Sequence, residues 1–271
     1  MDNLTLKRIA NRRRLDVLEM VKHAKTGHIG GSMSCMDLLV SLYYGIMDID
    51  KIREKQPNRD RFILSKGHCA EALYTILADQ GFFPKETLET YAAFDTMLAE
   101  HPTRKVPGVE TATGALGHGL SLGVGMAIGL RQQNTRVFVL MGDGEQAEGT
   151  VWEAAMAAAK YKLGNLTAIV DRNHLQISGS TEEVMPLADL SEKYRAFGWV
   201  CRSCDGHQPA EILSALTQDR TPDRPLVLIA DTIKGYGSPV MENQAEWHHL
   251  VPNSEQYETI KADLTANCRR A

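Results

Sequence analysis

The chain has 271 residues, is 43% hydrophobic and carries a formal charge of −4 with a pI near 6.1. That length and apolar content suffice for one large α/β domain with its own core. The mild acidity excludes a general attraction to nucleic acid or anionic membrane, and no apolar run reaches the ~18 residues a membrane span needs.

The start, Met1-Asp2-Asn3-Leu4, lacks the charged and apolar regions of a signal peptide, so a cytoplasmic protein is expected. From about Leu4 to Lys25, apolar positions Leu4, Ile9, Leu15, Leu18 and Val21 recur among charged residues and predict an amphipathic helix. Its basic cluster, Lys7-Arg8 and Arg12-Arg13-Arg14, is expected to be a solvated face. Thr26-Gly27-His28-Ile29-Gly30-Gly31-Ser32 predicts a glycine-rich loop. Met36 to Ile46 predicts an apolar helix with Asp37 near its start, and Arg61 to Leu64 a short strand. Ser65-Lys66-Gly67-His68 then opens a helix over Ala70 to Asp79, which puts His68 where helix amides attract anions. Pro84 marks the start of a third helix, and a long loop follows from Glu100-His101-Pro102 to Gly108, running on into Thr111 to Gly119.

His118 to Leu130 holds four glycines among Leu, Val, Met and Ile and predicts a buried helix packed closely at a subunit or domain interface. The next stretch organises the chain. Val137 to Met141 is an apolar strand, Gly142-Asp143-Gly144-Glu145 a tight turn, Glu148 to Ala159 a helix, and Leu166 to Val170 a second strand ending in Asp171-Arg172-Asn173-His174-Leu175. Together these form a βαβ unit. Further elements are expected as a helix over Leu187 to Phe197, a strand over Trp199 to Ser203, a helix over Pro209 to Gln218, a strand over Leu226 to Ile233 and a closing helix from Ser254 to Arg269. This alternation predicts an α/β, doubly wound, mainly parallel sheet with helices on both faces, as a single domain over residues 1–271. Cys201 and Cys204 form a CxxC, but on a strand they point to opposite faces; with no second CxxC, reduced thiols are expected.

Parallel neighbours put their carboxyl ends on one sheet edge, where open α/β folds bind ligands. Asp143 and Asn173 therefore offer a carboxylate and an amide oxygen side by side. Such donors suit a hard divalent cation that completes its shell with phosphate oxygens. Gly142 and Gly144 let backbone approach that phosphate. The order GxGxxG is missing, so a nicotinamide cofactor is not expected.

Gly142-Asp143-Gly144, about thirty residues, then Asn173, resembles the thiamine-diphosphate motif. Gly27-His28, Ser65-Lys66-Gly67-His68, Glu100-His101-Pro102, Thr113-Gly114-Ala115-Leu116-Gly117, Gln146-Ala147-Glu148-Gly149 and Trp247-His248 resemble, in order, the N-terminal domain of transketolases. The resemblance implies that Asp143, Asn173 and the Leu175 carbonyl hold Mg²⁺ or Ca²⁺. It implies thiamine diphosphate beside His68, Gly144 and His248, with Gly114, Ala115 and Leu116 lining its cleft and Glu148 at a subunit contact. It implies that His28 and His248 move protons and His101 orients sugar hydroxyls during ketol transfer between sugar phosphates. His118 departs from the Gln expected there, while His23, His174 and His207 match nothing and are expected to be structural.

The family's catalytic glutamate belongs to a pyrimidine domain that this chain does not contain. The resemblance thus implies a split enzyme, this chain being its N-terminal subunit. A C-terminal transketolase subunit supplies the rest, with an α2β2 heterotetramer expected. Alternatives are the α subunit of a 2-oxo acid dehydrogenase, a deoxyxylulose-phosphate synthase and a non-catalytic regulatory subunit.

Overall fold

The computed structural model describes residues 1–270. Helix α1 (Asn3–Ala24) starts where the Asp2 carboxylate accepts the Thr5 N–H at 2.8 Å and stops at Lys25 in the left-handed region. α2 (Ile29–Ser34), α3 (Met36–Ser41) and α4 (Ile49–Arg53) follow. Two expectations change here. The glycine-rich stretch is a loop only to His28, because Gly30 and Gly31 allow α2 to pack tightly and packing outweighs poor propensity. The apolar helix from Met36 ends its α-helical path at Ser41 and finishes as a π turn over Leu42–Ile46.

The sheet contains β1 (Arg61–Leu64), β2 (Val137–Gly142), β3 (Leu166–Arg172), β6 (Val200–Asp205) and β7 (Leu226–Asp231), in spatial order β1-β2-β3-β7-β6 and parallel throughout. β4 (Leu175–Gln176) and β5 (Gly179–Ser180) form a small hairpin directly after β3. The remaining helices are α5 (Ala70–Asp79), α6 (His118–Leu130), α7 (Gly149–Lys160), α8 (Thr181–Val184), α9 (Leu190–Ala196), α10 (Pro209–Thr217) and α11 (Ser254–Arg270). The helix expected from Pro84 is a 3₁₀ segment, Lys85–Thr90. Among the described residues, no helix is long and apolar enough to cross a membrane.

β2 is buried along its whole length because both faces of the sheet are covered. Phe138 and Leu140 join a core with α1, α2, α3, α5, α10 and α11. Val137, Val139 and Met141 join a second core with α6, α7 and α9. Cys201 and Cys204 do point to opposite cores, and all five cysteines are free thiols. The basic cluster is not wholly solvated. Arg14 is fully buried on Asp37, donating to the Met33 carbonyl at 3.1 Å, and Arg13 pairs with Asp16 at 3.1 Å. Within the single chain, α6 is buried on one side only. Leu120, Gly123, Val124 and Ala127 face the sheet, while Gly125 and Gly129 are exposed beside partly exposed Leu122, Met126 and Ile128. It is an apolar helix with one bare side.

Candidate active site

The carboxyl ends of β1, β2, β3 and β7 open into one cleft of about 300 Å³. β1 delivers Lys66 and His68, β2 delivers Asp143 and Gly144, β3 delivers Asn173 and Leu175, and β7 delivers Lys234. A larger groove of about 460 Å³ beside α1, lined by Asp16, Glu19 and His23, contains none of the converging groups, so size does not select the site.

At the β2–β3 end, Asp143 is almost wholly buried. Its Oδ1 accepts the Gly144 N–H at 2.8 Å; its Oδ2 accepts the His174 N–H at 2.6 Å and the Arg172 guanidinium at 3.0 Å. Burial, then the neighbouring Asp171, pushes its carboxyl above the usual range. Asn173 donates through Nδ2 to Asp171 at 3.3 Å and Ser34 at 3.4 Å, which fixes its amide, and its Oδ1 accepts the Leu175 N–H at 3.2 Å. Asp171 is itself the hub of a buried network. It pairs with Lys66, accepts from Ser34 Oγ at 2.6 Å and accepts from Thr232 Oγ1. Burial pulls the Lys66 ammonium down, but Asp171 overrides it and leaves the pKa above its ordinary value. The donors that Asp143, Asn173 and Leu175 can offer here are all oxygens, which fits a hard divalent cation with a diphosphate.

At the other end, four histidines from separate segments converge. The His28 ring lies 5.4 Å from His68, 5.9 Å from His101 and 5.4 Å from His248 between centroids, and His68 lies 5.2 Å from His248. The turn before α2 is held by Glu71, whose carboxylate accepts the His28 N–H at 2.7 Å, Ser32 Oγ at 2.9 Å and the Tyr91 hydroxyl at 2.6 Å. Gly27 sits at φ 143°, and a Cβ there would strike Val21 and Glu71. A Cβ at Gly30 would come within 2.5 Å of the Trp247 carbonyl, so glycine alone lets α2 and the turn carrying His248 close on each other. Lys234 Nζ stands 3.1 Å from His248 Nδ1. Burial and then Lys234 take His248 down to about 3, burial and then His68 take His28 to about 4, and His101 is also lowered, mainly by burial. At neutral pH these rings are therefore uncharged, each with one ring nitrogen that can accept a hydrogen bond. Burial and the nearby Lys66 bring Lys234 down to about 8.

The structure thus brings together His28, His68, His101, Gly114, Leu116, Asp143, Gly144, Asn173, Leu175 and His248. It leaves two expected residues outside the cleft. Ala115 lines a separate small depression with His118, and Glu148 is exposed on the rim, packed against the backbone of Gly117. His207 has a structural place: Nδ1 meets Asp37 at 3.0 Å and Nε2 accepts the Ile233 N–H at 2.8 Å. His174 bonds Asp231 at 2.5 Å on the surface. Sequence reasoning misses Lys66, Asp171, Glu71 and Lys234 as functional groups. The signal for Lys234 is its place at the end of an apolar strand, before Gly235.

Residues 5–269 match the family described as "Transketolase, thiamine diphosphate binding domain". The chain is similar to an apulose-4-phosphate transketolase subunit of Phocaeicola vulgatus, at 49% identity over 98% of this chain and 95% of the relative. It is 40% identical to a 6-deoxy-6-sulfo-D-fructose transketolase subunit from Clostridium sp., over 96% of both chains. Among solved structures it is similar to the transketolase of Campylobacter jejuni, with a TM-score of 0.89 at 26% identity, covering 100% of this chain and 46% of that one. It therefore spans under half of that enzyme but nearly all of the two subunit relatives.

Proposed function

The chain belongs to the transketolase family, and on that premise we propose that it is the thiamine-diphosphate-binding subunit of a two-chain, cytoplasmic transketolase. It moves a two-carbon ketol unit from a ketose phosphate to an aldose phosphate, alongside a C-terminal subunit that supplies the pyrimidine domain and catalytic glutamate, in an α2β2 assembly. The observation that carries this is the meeting of His28, His68, His101 and His248 above the Asp143–Asn173 strand ends.

Asp143, the Asn173 amide oxygen and the Leu175 carbonyl would hold Mg²⁺ or Ca²⁺. Lys66, paired with Asp171, and Lys234, beside His248, line the same cleft. When bound, thiamine diphosphate supplies the electron sink that carbon–carbon cleavage requires. His28 and His248, kept neutral by burial, take and return hydroxyl protons, and Lys234 stabilises negative charge that develops near His248. His101 orients the donor hydroxyls. Gly114 and Leu116 form the wall of the cleft, with Ala115 and Glu148 on the side that meets a second subunit. The two subunit relatives act, by name, on apulose 4-phosphate and 6-deoxy-6-sulfo-D-fructose, which supports a donor outside the common pentose phosphates.

The test is reconstitution. The chain and its partner are purified separately and assayed, alone and mixed, with thiamine diphosphate, Mg²⁺ and a panel of ketose donors and aldose acceptors. Ketol transfer is expected only from the mixture. Turnover by this chain alone, or none from the mixture with any donor, overturns the proposal.

A further inference from the structure

Beside the oxygen-lined end of the cleft lies a donor cluster of different chemistry. His28, Glu100 and His249 each bring one ligand atom to within 4.8 Å of the others. Glu100 Oε2 stands 4.0 Å from His28 Nδ1 and 3.6 Å from His249 Nε2, and the two rings meet edge to face at 4.5 Å between centroids. Thr26 Oγ1 donates to Glu100 Oε1 at 2.9 Å and lies 3.3 Å from His249 Nε2, so it orients both. His28 Nδ1 is buried without a hydrogen-bond partner, although the residue's backbone N–H donates to Glu71. A buried ring nitrogen left unpaired is costly unless something meets it, and Glu100 Oε2 is too distant for a hydrogen bond.

We propose that His28, Glu100 and His249 bind a divalent cation of the zinc class, in a site distinct from the oxygen site at Asp143. Two imidazoles with one carboxylate form a donor set that Zn²⁺ and Co²⁺ prefer and Mg²⁺ does not. Bonds of about 2.0–2.2 Å in a tetrahedral shell place ligand atoms roughly 3.3–3.6 Å apart. Glu100 and His249 already stand at such a separation, His28 lies about half an ångström too far from Glu100 on the same scale, and all three ligand atoms lie within 4.8 Å of one another. His249 Nε2 exchanges its contact with Thr26 for the metal, while Thr26 keeps its bond to the other carboxylate oxygen. The three ligands come from the turn before α2, the long loop and the segment after the His248 turn, so the cation also clamps these segments together. Because it takes the Nδ1 lone pair of His28 and sits beside His101 and His248, it acts as a reversible inhibitor of the site; the inhibition rests on the function proposed above, whereas the binding itself does not.

The test uses the tag-free full chain with excess Mg²⁺ and Co²⁺ as the probe. One equivalent of Co²⁺ is expected to give the visible d–d bands of a four- or five-coordinate nitrogen–oxygen site, and Zn²⁺ is expected to displace it. H249Q and E100Q should weaken binding by about tenfold or more, while D143N should leave it unchanged. Circular dichroism on each variant separates lost binding from lost folding. Absence of the bands, or bands abolished by D143N yet kept in both H249Q and E100Q, overturns the site. In the reconstituted pair, Zn²⁺ inhibition that H249Q relieves supports the inhibitory role, and Co²⁺ binding without Zn²⁺ inhibition overturns it.

Discussion

Asp171 accepts from Ser34, Asn173 and Thr232 and pairs with Lys66 at the base of the cleft, all of these groups being buried. In D171N, Lys66 is left as a buried charge without its partner, a change that typically costs about 3–5 kcal/mol. Chemical denaturation should show a loss of that size. A double replacement with K66M should recover much of it, since a well-packed apolar pair is often neutral against a buried ion pair. The histidines make a separate prediction about pH. His28 and His248 have folded pKa values depressed to about 4 and 3, below the ordinary value of 6.5, so the unfolded chain takes up protons first. Their contribution is complete above 6.5 and is lost as pH falls from 6.5 through those folded values. Melting temperature measured across that range should decline toward acid, and H28N/H248N should flatten the slope.

α6 illustrates both what a sequence pattern conveys and where it stops. Its apolar composition announces a helix, and the helix is there at His118–Leu130. Composition does not say that only one side meets the sheet, because the covering elements are set by topology. The bare side of Leu122, Gly125, Met126 and Gly129 has the character of a surface awaiting another chain. L122E/M126E should therefore weaken assembly with the partner subunit, read by size-exclusion chromatography, while leaving the melting temperature of the isolated chain nearly unchanged. β2 and β3 are legible for the opposite reason: strands buried on both faces appear as unbroken apolar runs. α2 is not legible, since Gly30 and Gly31 argue locally for a loop and only contact with Trp247 and Cys69 makes them helical. Among site residues, those at strand ends can be seen as ligands by type. Asp171, Lys66 and Glu71 cannot, because their partners lie far away in the chain: Ser34 to Asp171 spans 137 positions and His28 to Glu71 spans 43.

At the scale of the whole molecule, the cleft is a product of parallel, non-local pairing: β1, β2, β3 and β7 must all be in register before its groups meet. A cofactor that needs all four strand ends binds the folded state alone and stabilises it by mass action. In the reconstituted pair, thiamine diphosphate with Mg²⁺ at a hundred times its dissociation constant should add about 2.7 kcal/mol, seen as a raised melting temperature that D143N abolishes. Arg172 gives this loading a particular character. Its guanidinium holds Asp143 at 3.0 Å and also reaches Thr181 at 2.6 Å and Glu182 at 2.9 Å on α8. A cation held at Asp143 would meet a carboxylate that already has a counter-charge, so the arginine and the cation would compete for Oδ2. Thr181 and Glu182 would keep a released guanidinium at the start of α8, the segment that follows the hairpin beyond β3.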